Sequence, residues 1–456
     1  MRGLITDSNR KWWILVAAGS SLAIVLLDEI FIGVALPTIR DELGLSQLTA
    51  QWVVNAYVLA LAASVAAAGR LGDLLGHGRV FVAGGVILLI STAAGGVAES
   101  GGWLIAARAA QGVGTATLLS LGIAMIGIAF PERERGQAVG LWGLLGAVPS
   151  ALAPIVGGVL TDVASWRWIF FILLPLIAVV IAVMALAWRE PERATERKTF
   201  DSTGLALLLL FVIPLVLALM QAPEWGWGSP SVLTLIGVAG LALVAFIRVE
   251  TRSSSPLIDL RLLRRPTVLG ADLIIFCAQF TKLAILIFGA LFLQDILGLS
   301  ALQAGFALLA AVAPSVLTAV SAGRSADRYG SRGPMLAGVA GTGIALIWVS
   351  LATFGDSYAW LVPGFVLWGI ALPFLFNPAY TAVMNSVAPE SRGQAAGVAT
   401  TGRQLGGVLA VAVLGAVLIG TDDFALVFAL SAAVTFAVGI AAYFLVEHRP
   451  APARAY

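Results

Sequence analysis

Apolar runs follow one another along this chain almost without pause. Each is long enough to cross a bilayer as a helix, which takes about 20 residues. Fourteen are legible: Trp12–Leu36, Trp52–Gly69, Val80–Ala98, Trp103–Ala124, Gln137–Leu160, Trp168–Trp188, Gly204–Met220, Ser231–Ile247, Thr267–Phe292, Leu302–Ala322, Pro334–Phe354, Trp360–Val383, Ala395–Ile419 and Phe424–Val446. Backbone in lipid must satisfy its own hydrogen bonds, so these runs are helices. A membrane barrel would show short alternating segments instead.

Two stretches nearly repeat each other. Residues 43–50 read LGLSQLTA and residues 297–304 read LGLSALQA, an offset of 254. At that offset the loop GRLGDLLGHGR falls on GRSADRYGSR, so Gly69, Asp73 and Gly76 meet Gly323, Asp327 and Gly330. RGQAVG (Arg135–Gly140) and RGQAAG (Arg392–Gly397) recur at 257. Parallel duplication of a membrane chain is the sequence mark of a transporter with a central cavity between its halves. Six spans precede residue 190, six follow residue 266, and the hairpin Gly204–Ile247 has no repeat partner. The expected fold is all-α and integral to the membrane, fourteen helices as 6+2+6 with pseudo-twofold related halves. Residues 1–190 form the first six-helix bundle, 191–266 a linker with two extra spans at about 204–247, 267–446 the second bundle, and 447–456 a cytoplasmic tail. The inserted hairpin carries almost no intramembrane charge and is expected at the lipid-facing periphery.

Composition agrees: the chain is 59% hydrophobic and 11% charged, against roughly 25% charged in soluble domains. The net charge of +2 says little, but its placement says much. Among the Lys and Arg, only Arg40 and Arg167 fall in the loops of one side, and Arg108, Lys282 and Arg403 lie within spans. The rest lie in the termini and the opposite loops, so by the positive-inside rule both termini are cytoplasmic. The first span has no small-residue cleavage site and reads as a retained anchor rather than a signal peptide. Cys277 has no disulfide partner, and His77 and His448 are the only histidines, so no metal-ligand cluster exists. No phosphate-binding loop and no nucleophile–base constellation appears, so an enzyme is not expected.

The charges inside the spans carry the candidate chemistry. A charge near mid-bilayer costs roughly 2.5–3.5 kcal/mol even on the milder scale, so Arg108 needs a partner. Asp28, about halfway along the first span, is the leading candidate. A carboxylate beside an arginine is held ionised, while desolvation favours the neutral acid. A static ion pair is the competing reading. Glu29 cannot share the spot, because helix neighbours point about 100° apart; which of Asp28 and Glu29 faces the cavity stays open. The 254 offset puts Lys282 at the position equivalent to Asp28. Lys282 is expected to pair with Asp28 or Glu29 in one conformation, or to bind an anionic substrate group. Arg403 is read as facing a cavity or a phospholipid headgroup, and Asp272 as reaching the interface. A mostly apolar, aromatic cavity would draw on Asn55, Tyr57, Trp142, Gln279, Phe280, Phe374, Phe376, Asn377, Tyr380 and Arg403.

Five segments together resemble the major facilitator superfamily, and within it the fourteen-span drug:proton antiporters. They are LDEIFIGVALPTI (Leu27–Ile39), GRLGDLLGHGR (Gly69–Arg79), LIAARAAQGVGTA (Leu104–Ala116), the pattern from Gly140 through APIVGG (Ala153–Gly158), and WRWIFF (Trp166–Phe171). The resemblance implies proton coupling through Asp28 and Arg108. It implies a conformational latch at Gly69, Asp73, Gly76 and Arg79, with a second copy at Asp327, Arg328 and Arg332. It also implies an antiporter-like fifth span through Gly140, Pro149, Pro154, Gly157 and Gly158. His77 and Gly78 stand where the family often has basic residues, and Pro149 and Ala153 where its pattern has glycines. The function implied is proton-coupled export of amphipathic organic compounds by alternating access in the plasma (inner) membrane. No cofactor beyond the proton gradient and no nucleic acid are expected, and the chain is expected to act as a monomer in the lipid bilayer. A narrow-specificity metabolite transporter, including one for an anion, and a membrane sensor on a transporter fold are the alternatives.

Overall fold

The computed structural model describes residues 5–190, 201–253, 256–355, 357–387 and 392–447. Of the expected linker, 191–200, 254 and 255 fall outside them, as does the tail from 448 on. Among the described residues, fourteen helices are long and apolar enough to cross a membrane, one for each apolar run. In chain order they are α1 Arg10–Glu42, α2 Gln47–Leu75, α3 His77–Gly96, α4 Gly101–Ala129, α5 Glu132–Val159, α6 Trp168–Ala187 and α7 Ser202–Trp225. Then come α8 Pro230–Arg252, α9 Pro266–Ile296, α10 Ala301–Tyr329, α11 Arg332–Ala352, α12 Val362–Asn385, α13 Arg392–Thr421 and α14 Phe424–Leu445.

The repeated LGLS segment turns out to be a turn-and-cap device. Gly44 and Gly298 take φ of +60° and +65°, a conformation that glycine enters without steric cost. Ser46 and Ser300 follow and cap α2 and α10, their hydroxyls accepting from the N–H of Thr49 (3.1 Å) and Gln303 (3.3 Å). Gln303 Oε1 returns the bond to the Ser300 N–H at 2.9 Å, completing a capping box. In both copies, then, the chain turns sharply and starts the next helix at the same point.

The helices form two compact units: Met1–Val212 with Ser253–Leu257, and Ile213–Arg252 with Ile258–Tyr456. The division falls inside α7. In the first unit α1 packs on α4, α5 and α6, α2 packs on α4, and α3 packs on α4 and α6. In the second, α9 packs on α12, α13 and α14, α10 packs on α12, and α11 packs on α12 and α14. The neighbour lists are the same, with α4 and α12 in equivalent central places.

Helices in lipid have no hydrophobic force driving them together, so small residues set the closest approaches. A Cβ on Gly112 of α4 would strike the Tyr57 carbonyl of α2, and one on Gly114 would lie 2.7 Å from the Leu88 nitrogen of α3. In the second unit Gly369 meets the Ala311 carbonyl and Gly406 the Phe276 carbonyl in the same way. The two first helices differ. α1 is continuous despite Pro37, whereas α9 carries π-turns at Ala284–Phe288 and Phe292–Ile296. In the hairpin, Ala218 and Ala222 of α7 pack with Val232 and Leu235 of α8. Buried Glu250 ends α8 by accepting the Ile258 N–H at 3.2 Å.

Candidate functional site

The first unit brings four helices to one guanidinium. Arg108 lies seven residues into α4, about 10 Å along its axis, and is fully buried. Asp28 of α1 faces it: Arg108 Nη1 donates to Oδ1 at 2.8 Å and to Oδ2 at 2.7 Å. Arg108 Nε donates to the Val53 carbonyl of α2 at 3.2 Å, and Nη1 also reaches Gln111 Oε1 at 3.1 Å. Gln111 Nε2 in turn donates to Thr92 Oγ1 of α3 at 2.9 Å. The Tyr57 ring lies 4.1 Å from the guanidinium carbon, a cation–π contact. Arg108 and Asp28 are thus brought together as expected, and Tyr57, a cavity candidate, lies against them. Glu29, next along α1, is buried as well. Gln111, Thr92 and the Val53 carbonyl were missed; only Gln111, one turn after Arg108 in the AARAAQ segment, carried a signal.

A buried charge is tolerated when it is paired, and Asp28 pairs this one through Nη1, while Nη2 is buried without an acceptor among the described residues. Arginine suits the task better than lysine, since its fork reaches a carboxylate, a carbonyl and an amide at once.

The second unit collects a different group. Asp272 of α9 lies against Gly402 of α13, where a Cβ would sit 2.7 Å from both carboxylate oxygens. Asp272 Oδ1 is buried and accepts no hydrogen bond among the described residues. Arg403 Nε donates to Gln404 Oε1 at 3.2 Å, while its Nη2 is buried without an acceptor among them. Tyr380 of α12 stands within interaction range of Arg403, Thr400 and Asp272. Gln279 is buried, and neither of its amide atoms finds a partner among the described residues. Lys282 follows one turn later and is half-buried, two residues before the first π-turn of α9. Lys282 belongs to the second unit, Asp28 and Glu29 to the first.

Other candidates make contacts of a packing kind. Trp142 Nε1 donates to the Ala18 carbonyl at 3.1 Å, and Asn377 Nδ2 to the Ala319 carbonyl at 2.8 Å. Phe280 stacks on Phe276 with ring centroids 6.3 Å apart, Phe374 covers Gly338, and Asn55 is fully buried. In α5, Pro149 and Pro154 sit within the helix, Gly157 faces Phe31, Gly158 is buried and Gly140 is exposed.

The turn between α2 and α3 is built around a residue the sequence did not single out. Gly76 takes φ +102° and lies against the Glu190 carboxylate. Glu190, just beyond α6, accepts the Gly78 N–H at 2.7 Å. A Cβ on Gly78 would strike Trp188. Gly78 therefore has a steric reason of its own. Gly69 faces Ser120 and Gly72 faces Leu121, while Asp73 faces His77 at 3.4 Å and Arg70 at 3.9 Å; Arg79 is exposed. At the second copy, Gly330 takes φ +77°, Asp327 and Arg328 are exposed, and Arg332 Nη2 donates to the Tyr443 carbonyl at 2.7 Å.

The family model of the Major Facilitator Superfamily matches residues 18–411, and matches again over 273–455. The chain belongs to the major facilitator superfamily. Members are membrane transporters rather than enzymes, in keeping with the fourteen apolar helices. Curated relatives include the multidrug resistance protein Stp of Mycobacterium tuberculosis, 31% identical over 89% of this chain and 75% of its own length. The tetracenomycin C resistance and export protein of Streptomyces glaucescens is 31% identical over 89% of this chain and 76% of its own. The cephamycin export protein CmcT of Amycolatopsis lactamdurans is 34% identical over 88% and 83%. Among solved structures, an auto-inhibited POT family peptide transporter superposes with a TM-score of 0.70 at 16% identity, covering 98% of this chain and 99% of that one. A bacterial homologue of the lysosomal transporter Spinster gives 0.64 at 16% identity, over 97% and 96%. At that identity both speak for the superfamily fold alone.

Proposed function

We propose that this major facilitator exports amphipathic, cationic or neutral organic compounds in exchange for protons, by alternating access. The observation that carries the reading is the buried Asp28–Arg108 pair joining α1 to α4. A guanidinium against a carboxylate favours its charged form. Withdrawn by a few Å in an apolar surround, the neutral acid is favoured. One proton moving through 100 mV supplies about 2.3 kcal/mol, enough for a roughly fifty-fold gradient of a neutral compound.

The matching neighbour lists and the sequence offset support a 6+2+6 design. In it α1–α6 and α9–α14 are two copies of one repeat, and α7 and α8 are an inserted pair. Both termini face the cytoplasm, on the positive-inside rule. Gly69, Asp73, Gly76 and Arg79 act as the conformational latch, with Asp327, Arg328 and Arg332 as its second copy. Pro149, Pro154, Gly157 and Gly158 let α5 bend and pack closely. Relatives named for multidrug, tetracenomycin C and cephamycin handling support the exporter direction.

The test is accumulation of a fluorescent lipophilic cation in cells making the wild type or Asp28→Asn, with and without an uncoupler. Lower accumulation in wild type, lost with uncoupler and with Asp28→Asn, is the expected result. Equal accumulation in wild-type and empty cells would sink it. A second reading, an exporter dedicated to one anionic compound, is favoured by Lys282 and Arg403 in the second unit. It predicts export of an organic anion that Lys282→Ala abolishes.

A further inference from the structure

The second unit holds a half-buried carboxyl and a half-buried guanidinium on adjoining helices and does not join them. Asp272 makes no ion pair among the described residues, and its Oδ1 is buried without a donor. Arg403, the residue after Gly402, directs Nε to its neighbour Gln404 and leaves Nη2 without an acceptor among the described residues. Gly402 has no side chain to keep α13 off the carboxyl; its missing Cβ would lie 2.7 Å from both oxygens.

The charged and titratable groups around Asp272 can be named element by element. Arg403 comes from α13 and Tyr380 from α12. At the end of α14, Glu447 lies beyond Val446, its N–H donating to Thr267 Oγ1 at 3.3 Å, one turn before Asp272. In the turn preceding α9, Arg261 pairs with Asp259, Arg264 is exposed, and Arg265 donates to the Ser386 carbonyl. Lys282, on α9 itself, is ten residues on, about 15 Å along the helix. None of these sits on Asp272 as Arg108 sits on Asp28. An unpaired carboxylate in an apolar surround is far costlier than the neutral acid.

We propose that Asp272 is a second proton-binding site, loaded in the conformation described here and emptied when Arg403 closes on it. The loading step adds one proton from water to a carboxylate oxygen. The emptying step returns it to water as the guanidinium takes over the counter-charge. The proposal rests on the proton-driven reading above and extends it: each unit carries its own carboxyl–guanidinium couple, one closed and one open in the same conformation.

The first test reads protonation without transport. Infrared difference spectra of the purified full-length protein at neutral pH follow the C=O stretch of a protonated carboxyl. We expect a band that Asp272→Asn removes and Asp28→Asn keeps. No change on Asp272→Asn overturns the proposal. Gly402→Ala guards against a folding artefact, because a Cβ against both oxygens shifts the same band; an unshifted band counts against the site. The second test counts protons released per ethidium imported into proteoliposomes. Asp272→Asn is expected to lower the count by one, and an unchanged count overturns the proposal. If the wild type exchanges no protons at all, the transport reading fails while the infrared result still decides the site.

Discussion

The two six-helix sets have the same packing and different chemistry. In the first, a buried arginine closes on a buried carboxylate, and its other contacts reach α2 and, through Gln111, Thr92 of α3. In the second, the corresponding neighbours meet through the same kind of glycine contacts, yet Asp272 and Arg403 make no ion pair with each other. The difference teaches that a shared packing pattern fixes which helices touch but not which charges ride on them. Close backbone approach asks only for small residues at a few positions. Charge placement inside lipid is free to diverge between copies so long as each copy tolerates what it buries.

The sharpest way to break this contrast is to remove one member of the closed pair. Asp28→Ala leaves Arg108 buried without its counter-charge, an expected loss of about 3–5 kcal/mol, together with transport. Thermal unfolding of the purified protein measures it. Replacing both members, Asp28→Leu with Arg108→Met, is expected to recover most of the stability and none of the transport. If the double variant transports, the pair is structural only. Arg108→Lys is expected to stay inactive, because one ammonium cannot serve Asp28, Val53 and Gln111 together.

Next in size is the packing that the units share. Gly112→Ala and Gly406→Ala each push a methyl into a neighbouring backbone carbonyl. Overpacking of this kind costs about 1–3 kcal/mol, and the two losses should be similar. A large loss in one and none in the other would mean that the neighbour lists match while the energetics do not.

Asp272→Ala sharpens the contrast from the other side. Removing a carboxyl without a charged partner strands no counter-ion, so stability should change by less than about 1 kcal/mol or rise. A loss as large as that of Asp28→Ala would show that Asp272 is paired after all.

Much of this was legible in the sequence. The spans and the Asp28–Arg108 contact follow from what lipid demands of backbone and charge, and those demands act on residue types alone. What escaped depends on helix rotation and approach. Gln111 and the Val53 carbonyl join the arginine, with Thr92 behind Gln111, only because α2, α3 and α4 present those particular faces. Glu190 meets Gly78 across 112 positions of chain. Gly402 reads as one glycine among fifty until α9 lies against it. The π-turns of α9 have no composition signal, since Ala284–Phe288 reads as ordinary helix.

The smallest expected effect concerns the two copies of the glycine turn. After α2, an acid from the end of α6 holds the turn through the Gly78 N–H. After α10, Arg332 holds the start of α11 through the Tyr443 carbonyl near the end of α14. The sixth helix of each set thus accepts from the corresponding turn, with backbone donor and side-chain acceptor in one and side-chain donor and backbone acceptor in the other. One such bond is worth roughly 0.5–1.5 kcal/mol, too little to unfold the protein but enough to loosen a turn. Glu190→Ala and Arg332→Ala should each speed proteolysis at their own turn and leave the other unaffected. Glu190→Gln, whose amide oxygen still accepts from Gly78, should behave as wild type. If Glu190→Gln is as labile as Glu190→Ala, charge rather than the hydrogen bond holds the first turn, and the two copies work by different physics.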